Sequence, residues 1–299
     1  MLKRALFVFN MRSGKGMIKS KIADVLDTLV KAGYEVTAHP TQEGGDAMRL
    51  VEEKAGEYQL VVCSGGDGTL DETVTGMIRS GHRVPIGYIP TGSTNDFGAT
   101  LKIPKNIIKA AEIAANGEDY ACDIGAINDD SFVYIAAFGL FTDISYATSQ
   151  QMKNAFGHAA YLFELAKQFG KPIPGYEMQV EVNGEVLEDR FSYGMITNSS
   201  SVGGIKDLTG KNVDLSDGLL EVTLVREPKN PLELNEILTR LANLIPESKF
   251  VYAVKADHLT LRSKEPLSWT IDGEYGGTFQ DVEIFCEKQA VDFRVRKKN

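Results

Sequence analysis

Asp67 lies in Ser64-Gly65-Gly66-Asp67-Gly68-Thr69, a glycine-rich turn between an apolar run and an amphipathic one. Glycine at 65, 66 and 68 permits positive φ and keeps side chains out of a ligand's path. A helix starting just beyond offers unpaired N–H groups and a partial positive charge, which suits a phosphate. A carboxylate beside phosphate is repulsive unless a metal ion or a transferable proton intervenes, so Asp67 is read as acting through Mg²⁺. Alone, the same residues also fit an ordinary tight turn with a surface Asp. They do not stand alone. Thr91-Gly92-Ser93-Thr94-Asn95-Asp96-Phe97 is a second polar loop after the apolar segment 85–90, and Asn10-Met11-Arg12-Ser13-Gly14-Lys15 is a third after the segment 5–9. In a parallel sheet these loops open at one carboxyl edge. Further on, Ile271-Asp272-Gly273-Glu274 brings two carboxylates. Glu274 is the candidate general base for an acceptor hydroxyl, with Asp272 in the metal and charge network. A solvated Glu titrates near about 4.3, so the role needs desolvation or neighbouring charge. Asp272-Gly273 also reads as a simple hairpin turn.

Neither common nucleotide fingerprint is present. Phe9, not Gly, stands five residues before Gly14, and Gly16 follows Lys15. Gly66-x-Gly68 continues to Asp71.

The elements that must hold these loops alternate over the first part of the chain: strands at 5–9, 34–38, 59–64 and 85–89, and helices at about 18–32, 46–55, 69–80 and 106–116. Such alternation predicts a doubly wound parallel α/β domain over 1–125. Beyond Asp123 the pattern predicts an antiparallel β domain over 126–285, with strands at 132–137, 177–182, 191–198, 220–225 and 250–261, the last broken near Lys255, and an Asn183-Gly184 hairpin. Strands at 282–285 and 291–295 follow. Helices at about 147–169 and 231–244 interrupt the β pattern. The first is rich in apolar residues, among them Met152, Phe156, Tyr161 and Phe169, near Lys153, Lys167 and Lys171, and reads as core packing or as part of a lipid entrance.

The chain has 299 residues, 43% apolar and 24% charged, enough for two cores. A net charge of −9 argues against nucleic acid as the main partner. Cys63, Cys122 and Cys286 are scattered, so neither disulfides nor zinc are expected and a reducing cytoplasm fits. No apolar run reaches the roughly 20 residues of a membrane span, and the start of the chain is too short for a signal segment before its first strand. Histidines 39, 82, 158 and 258 show no metalloprotease spacing, which makes histidine catalysis or zinc ligation unexpected.

With Asn10 to Lys15, Gly65 to Glu72, Pro90 to Phe97, Ala121-Cys122-Asp123-Ile124-Gly125, Asp217-Gly218-Leu219-Leu220 and Ile271 to Glu274 in hand, the chain resembles the diacylglycerol kinase catalytic family, which also includes sphingosine and ceramide kinases. The resemblance implies an N-terminal Rossmann-like domain of the type shared with NAD kinases, a C-terminal antiparallel β-sandwich, and a last segment, about 286–299, packing back on the first domain. It implies an ATP- and Mg²⁺-dependent kinase acting at the membrane surface from the cytoplasmic side, with homodimers in some relatives. It carries Asn10, Met11, Arg12, Ser13, Gly14, Thr41, Gly65, Gly66, Asp67, Gly68, Thr69, Leu70, Asp71 and Ser93 to the nucleotide site. Asp67, Asp96 and Asp272 go to an acidic network around catalytic Mg²⁺, and Asp214, Asp217 and the Leu219 carbonyl to a separate structural Mg²⁺. Three positions depart from the usual pattern: Met11 for Pro, Ser93 for Thr, and Asp71 for Asn, the last adding negative charge near the phosphates. Diacylglycerol is the leading acceptor. Phosphatidylglycerol, a sphingoid base, NAD, or a non-catalytic sensor of lipid or nucleotide on the same fold are the rivals.

Overall fold

A computed structural model of the chain describes residues 3–139, 174–202, 205–206, 213–242 and 248–297. The helix expected over about 147–169, with its lysines, lies outside the described residues. The chain divides into two compact units, Met1–Ile124 with Leu215–Asp217 and Glu287–Asn299, and Gly125–Asp214 with Gly218–Cys286.

The first unit is a parallel sheet with helical crossovers. Its strands are β1 (Lys3–Phe9), β2 (Tyr34–Pro40), β3 (Leu60–Gly65) and β4 (Ile86–Pro90). Leu60, Val61, Val62 and Cys63 are fully buried, as expected of a central strand covered on both faces. Burying a side chain of this kind contributes about 1.5–3 kcal/mol. The connecting helices are α1 (Ile22–Lys31), α2 (Asp46–Lys54), α3 (Asp67–Arg79), the short α4 (Asp96–Thr100) and α5 (Ile107–Asn116). α1 buries Val25 and Leu29 and turns the pairs Lys21–Asp24 and Lys31–Asp27 to solvent. Asn106 caps α5 by accepting from Lys109 N at 3.0 Å. The helix presents Ala110, Ala111, Ala114 and Ala115 inward, and Ala114 lies so close to Gly87 of β4 that a Cβ at Gly87 would collide with it.

Strand order is β4-β3-β1-β2, with β1 paired to β3 on one side and β2 on the other. The chain therefore leaves β1 in one direction and returns to its other flank. The loops after β1 and β3 border that reversal, the place where open parallel sheets bind ligands. The end of the last strand, β15 (Glu274–Val295), continues the sheet through Phe293 opposite Ile86. Arg83 fastens it with two bonds to Asp292, at 2.6 and 2.7 Å.

The second unit is largely antiparallel. β5 (Glu118–Ile127) belongs to the first unit as far as Ile124 and to the second beyond it; strands β6 (Asp130–Phe132), β7 (Ile135–Gly139), β8 (Tyr176–Val182), β9 (Glu185–Thr197), β12 (Leu220–Arg226), β13 (Val251–Ala256) and β14 (His258–Ile271) precede β15, with a hairpin of two-residue strands, β10 (Ser201–Val202) and β11 (Ile205–Lys206), between β9 and β12. The order runs β13-β12-β9-β7-β14-β15, and β8 pairs with both β9 and β14. Phe132, Phe138, Phe191, Trp269 and Ile284 centre its core, with the Phe138 and Trp269 rings 5.0 Å apart. A helix, α6 (Pro231–Ala242), buries Ile237 against Val225, Phe250 and Val251.

Several boundaries differ from expectation for local reasons. α3 begins at Asp67 rather than Thr69, because Gly66 serves as its N-cap and Asp67 complements the helix dipole. β5 was not anticipated. The expected strands at 282–285 and 291–295 are one continuous β15, with Gln289 at φ 53° absorbing the irregularity. The break expected near Lys255 falls at Asp257, between β13 and β14. Asn183-Gly184, at φ 51° and 77°, makes the expected tight hairpin, and Asp272-Gly273, at 46° and 87°, makes another.

Candidate active site

In the first unit the expected nucleotide loops meet backbone to backbone. Asn10 N donates to Ser64 O at 2.8 Å, joining the loop after β1 to the end of β3. Thr91 N and Gly92 N both donate to Gly65 O, at 2.8 and 3.2 Å, joining the loop after β4 to the same place. Thr41 N donates to Phe9 O at 2.9 Å, which sets Thr41 beside the end of β1. Glycine is what permits this closeness. A Cβ at Gly14, itself at φ 56°, would collide with Thr91 O, and one at Gly92 would collide with Gly66 Cα, whereas one at Gly66 would make only ordinary contacts with Gly92 Cα at 3.4 Å and Ser13 Oγ at 3.5 Å.

Asp67 stands in the first turn of α3, where no side chain caps the helix, and its Oδ2 accepts from Asn95 N at 2.9 Å. Asn95 adopts φ 57°, ψ 55° and binds Gly92 twice through its amide, at 2.9 and 2.8 Å. Asn10 Nδ2 donates to Thr69 Oγ1 at 3.4 Å, and Asn10 Oδ1 accepts from Arg12 N at 2.8 Å. Arg12, Lys15 and Ser93 are exposed, while Asp96 is buried, 2% exposed, at the start of α4. Leu70 belongs to the core and its N–H donates to Gly66 O at 3.1 Å, so it lends the site its place in the helix rather than a contact group. Beside this turn, burial pushes the Cys63 thiol up to about 12.

These residues fit a nucleotide. The glycine cradle is one a Cβ would fill, and the buried hydroxyls of Ser64 and Thr91, at the ends of β3 and β4, find no hydrogen-bond partner among the described residues. Among the described residues no group of three or more His, Cys, Asp or Glu side chains is gathered to hold a metal ion.

In the second unit, Asp272 is 5% exposed and its carboxylate accepts three backbone N–H groups: Val133 at 2.6 Å, Tyr134 at 3.0 Å and Ile135 at 2.9 Å. These bonds fix the β14–β15 hairpin against the β6–β7 connection. Glu274, two residues on, is exposed. Of the second Mg²⁺ set, Asp217 falls in the first unit and Asp214 and Leu219 in the second. Residues 215–217 are held by Asp123 N to Leu215 O at 2.7 Å and by Lys288 Nζ to Asp217 O at 3.3 Å, while Asp123 Oδ1 accepts from Gln289 N at 2.7 Å.

Two residues quoted within their motifs make contacts that were not anticipated. Asn95 links Gly92 to Asp67, and its neighbours in sequence, Gly92 and Asp96, were the available signal. Glu72 accepts Gly45 N at 2.8 Å and Ala47 N at 3.1 Å, holding the start of α2, and with it the Thr41 loop, to α3. Nothing local in the sequence points to that contact.

Residues 4–127 match the family model of the diacylglycerol kinase catalytic domain. The chain is 32% identical to a diacylglycerol kinase of Staphylococcus carnosus (strain TM300) over 301 aligned residues, 96% of each chain. It is 32% identical to one of Bacillus subtilis (strain 168), covering 92% of this chain and 91% of the other, and 34% identical to one of Staphylococcus aureus (strain JH9), covering 93% and 88%. The fold is similar to a solved diacylglycerol kinase structure from Bacillus anthracis str. Sterne, with TM-score 0.77 at 21% identity over 99% of this chain and 97% of that one. A second structure from the same strain gives 0.83 at 23% identity over the same shares.

Proposed function

The chain belongs to the diacylglycerol kinase catalytic family, and from that membership we propose that it transfers the γ-phosphate of ATP to the free hydroxyl of diacylglycerol, giving phosphatidic acid and ADP. The observation that carries this reading is the meeting of the loops after β1, β3 and β4 at Gly14, Gly66 and Gly92, with Asp67 held at that junction by Asn95. No helix among the described residues is long and apolar enough to cross a membrane, so the lipid is taken to be met at the bilayer surface.

Phosphoryl transfer needs alignment, charge neutralisation and removal of one proton. The N–H groups opening α3 and the loop Asn10–Lys15 take the nucleotide phosphates, with Thr41 and Ser93 as further contacts, and exposed Arg12 and Lys15 supply positive charge. Asp67, assisted by Asp96, would hold Mg²⁺, which when bound would neutralise the phosphate oxygens. The acceptor hydroxyl loses its proton to the Glu274 carboxylate as its oxygen bonds to the γ-phosphorus, the bond from that phosphorus to the β,γ-bridging oxygen breaks, and ADP leaves. Glu274 is exposed in the free protein, so its desolvation is assigned to the arriving lipid. Asp272 serves by fixing the hairpin that carries Glu274. A structural Mg²⁺ is assigned to Asp214, Asp217 and the Leu219 carbonyl, oxygen ligands of the kind this ion takes.

Glu274→Gln keeps size and removes basicity. The expected result is turnover lower by about 10²–10⁴-fold with ATP and lipid binding retained. Near wild-type turnover would transfer the role of base to another group.

A further inference from the structure

Tyr88 lies in β4, 1% exposed, three residues before Thr91, where the loop containing Gly92 begins. Its ring occupies space that exists because residue 98 is glycine: a Cβ there would stand 2.9 Å from Tyr88 Cε1. A phenylalanine would fill the same space, so the hydroxyl needs its own explanation. That hydroxyl stands 3.2 Å from Gly65 O and 3.2 Å from Asn95 Oδ1. The amide of Asn95 has one consistent orientation, since Gly92 N can only donate to Oδ1 and Gly92 O can only accept from Nδ2. Both oxygens facing Tyr88 are therefore acceptors, and the phenol shares its single proton between them. Burial, reinforced by the nearby charge of Asp67, holds the phenol well above its ordinary pKa, so the proton stays in place. Asn95 in turn sits in the left-handed region, which asparagine tolerates better than most residues, and from that backbone its N–H reaches Asp67 Oδ2.

We propose that Tyr88 is a positioning residue for phosphoryl transfer: its hydroxyl pins Asn95 against the Gly65 carbonyl and, through the Asn95 backbone, aims the carboxylate of Asp67. The chain of contacts runs from a buried side chain to the carboxylate on which the proposed reaction depends. The inference rests on the role given above to Asp67. It also explains Gly98 as the residue that makes room for the aromatic strut.

The test is Tyr88→Phe, which removes the hydroxyl and keeps the ring. ATP binding is measured by calorimetry in excess Mg²⁺ and again in EDTA, alongside turnover with diacylglycerol in mixed micelles and thermal melting. The expected result is unchanged binding in EDTA, binding weaker by about 3–10-fold in Mg²⁺, and turnover lower by about tenfold, the scale of one or two shared hydrogen bonds. A merely structural phenol would lower the melting temperature without altering the Mg²⁺ dependence, and that outcome overturns the inference. In an Asn95→Ala background Tyr88→Phe should add less than about twofold, because its path runs through the amide; fully multiplicative effects also overturn it. Asp67→Ala separates the two levels. If Asp67→Ala loses turnover while Tyr88→Phe matches wild type, the Tyr88 inference fails and the role of Asp67 stands. If Asp67→Ala behaves as wild type, the underlying reading fails with it.

Discussion

Gly92→Ala asks whether the three loops act as one cradle. Gly92 has no positive φ, so its own backbone tolerates a Cβ; the obstacle is Gly66 Cα, with Asn95 Oδ1 at 2.8 Å behind it. Carbon atoms pack best about 3.5–4.0 Å apart, so the Thr91–Asn95 loop has to retreat from Gly65–Gly66 by about 1 Å. Retreat strains the Asn95 bonds to Gly92 and draws Asn95 N away from Asp67. Overpacking of this kind costs about 1–3 kcal/mol of stability, whereas a displacement of about 1 Å among groups that position reactants costs about 10²-fold in rate. Steady-state kinetics in ATP and diacylglycerol, with thermal denaturation on the same samples, separates the two effects. The expected outcome is a folded protein, a few degrees less stable, with kcat/KM for ATP lower by about 10²-fold. Wild-type kinetics from folded Gly92→Ala would refute the interlocked cradle.

Asp67→Ala should abolish transfer in protein that still folds, melting somewhat lower because the Asn95 N–H and the start of α3 lose their carboxylate; substantial Mg²⁺-dependent turnover would remove it from the reaction. For Asp46 the sign follows from its contacts: the Gln42 N–H, with His39 and Arg49 adding to it, holds the carboxyl below the usual range. A depressed folded pKa contributes stability that is full above the unfolded value of about 3.9 and is lost as pH falls through the folded one. Asp46→Asn should therefore melt lower than wild type at pH 7, with the gap closing below about pH 4, and an undiminished gap at pH 3 would contradict the assignment. If Asp214, Asp217 and Leu219 hold a structural Mg²⁺, millimolar Mg²⁺ without nucleotide should raise the melting temperature of wild type and not of Asp217→Asn; equal shifts would dismiss that site.

The central strand and its turn were readable because physics there is local: four consecutive apolar residues ending in Ser64-Gly65-Gly66 leave few alternatives to a buried parallel strand and a tight turn. The interlock of Gly14, Gly66 and Gly92 was readable only as three loops at one edge, since no spacing reveals which backbones touch. Asn95 was quoted within its motif, yet its left-handed backbone and its bond to Asp67 depend on Tyr88 beneath it, a partner that sequence order does not expose. Asp272 was legible twice over, as a charge and as a turn, and its three backbone bonds give the turn a definite anchoring task. β15 was read as two strands because Glu287, Lys288 and Gln289 look like a loop, although the strand continues through them with Gln289 at φ 53° absorbing the irregularity.

The most direct measurement is transfer of radiolabel from γ-labelled ATP by the purified chain, with Mg²⁺, to diacylglycerol in mixed micelles, beside phosphatidylglycerol, ceramide, a sphingoid base, undecaprenol and NAD. The account predicts labelled phosphatidic acid, formed with one ADP per phosphate transferred and in preference to every other product. Label in NADP alone, or in no acceptor at all from protein that still binds ATP, would contradict it.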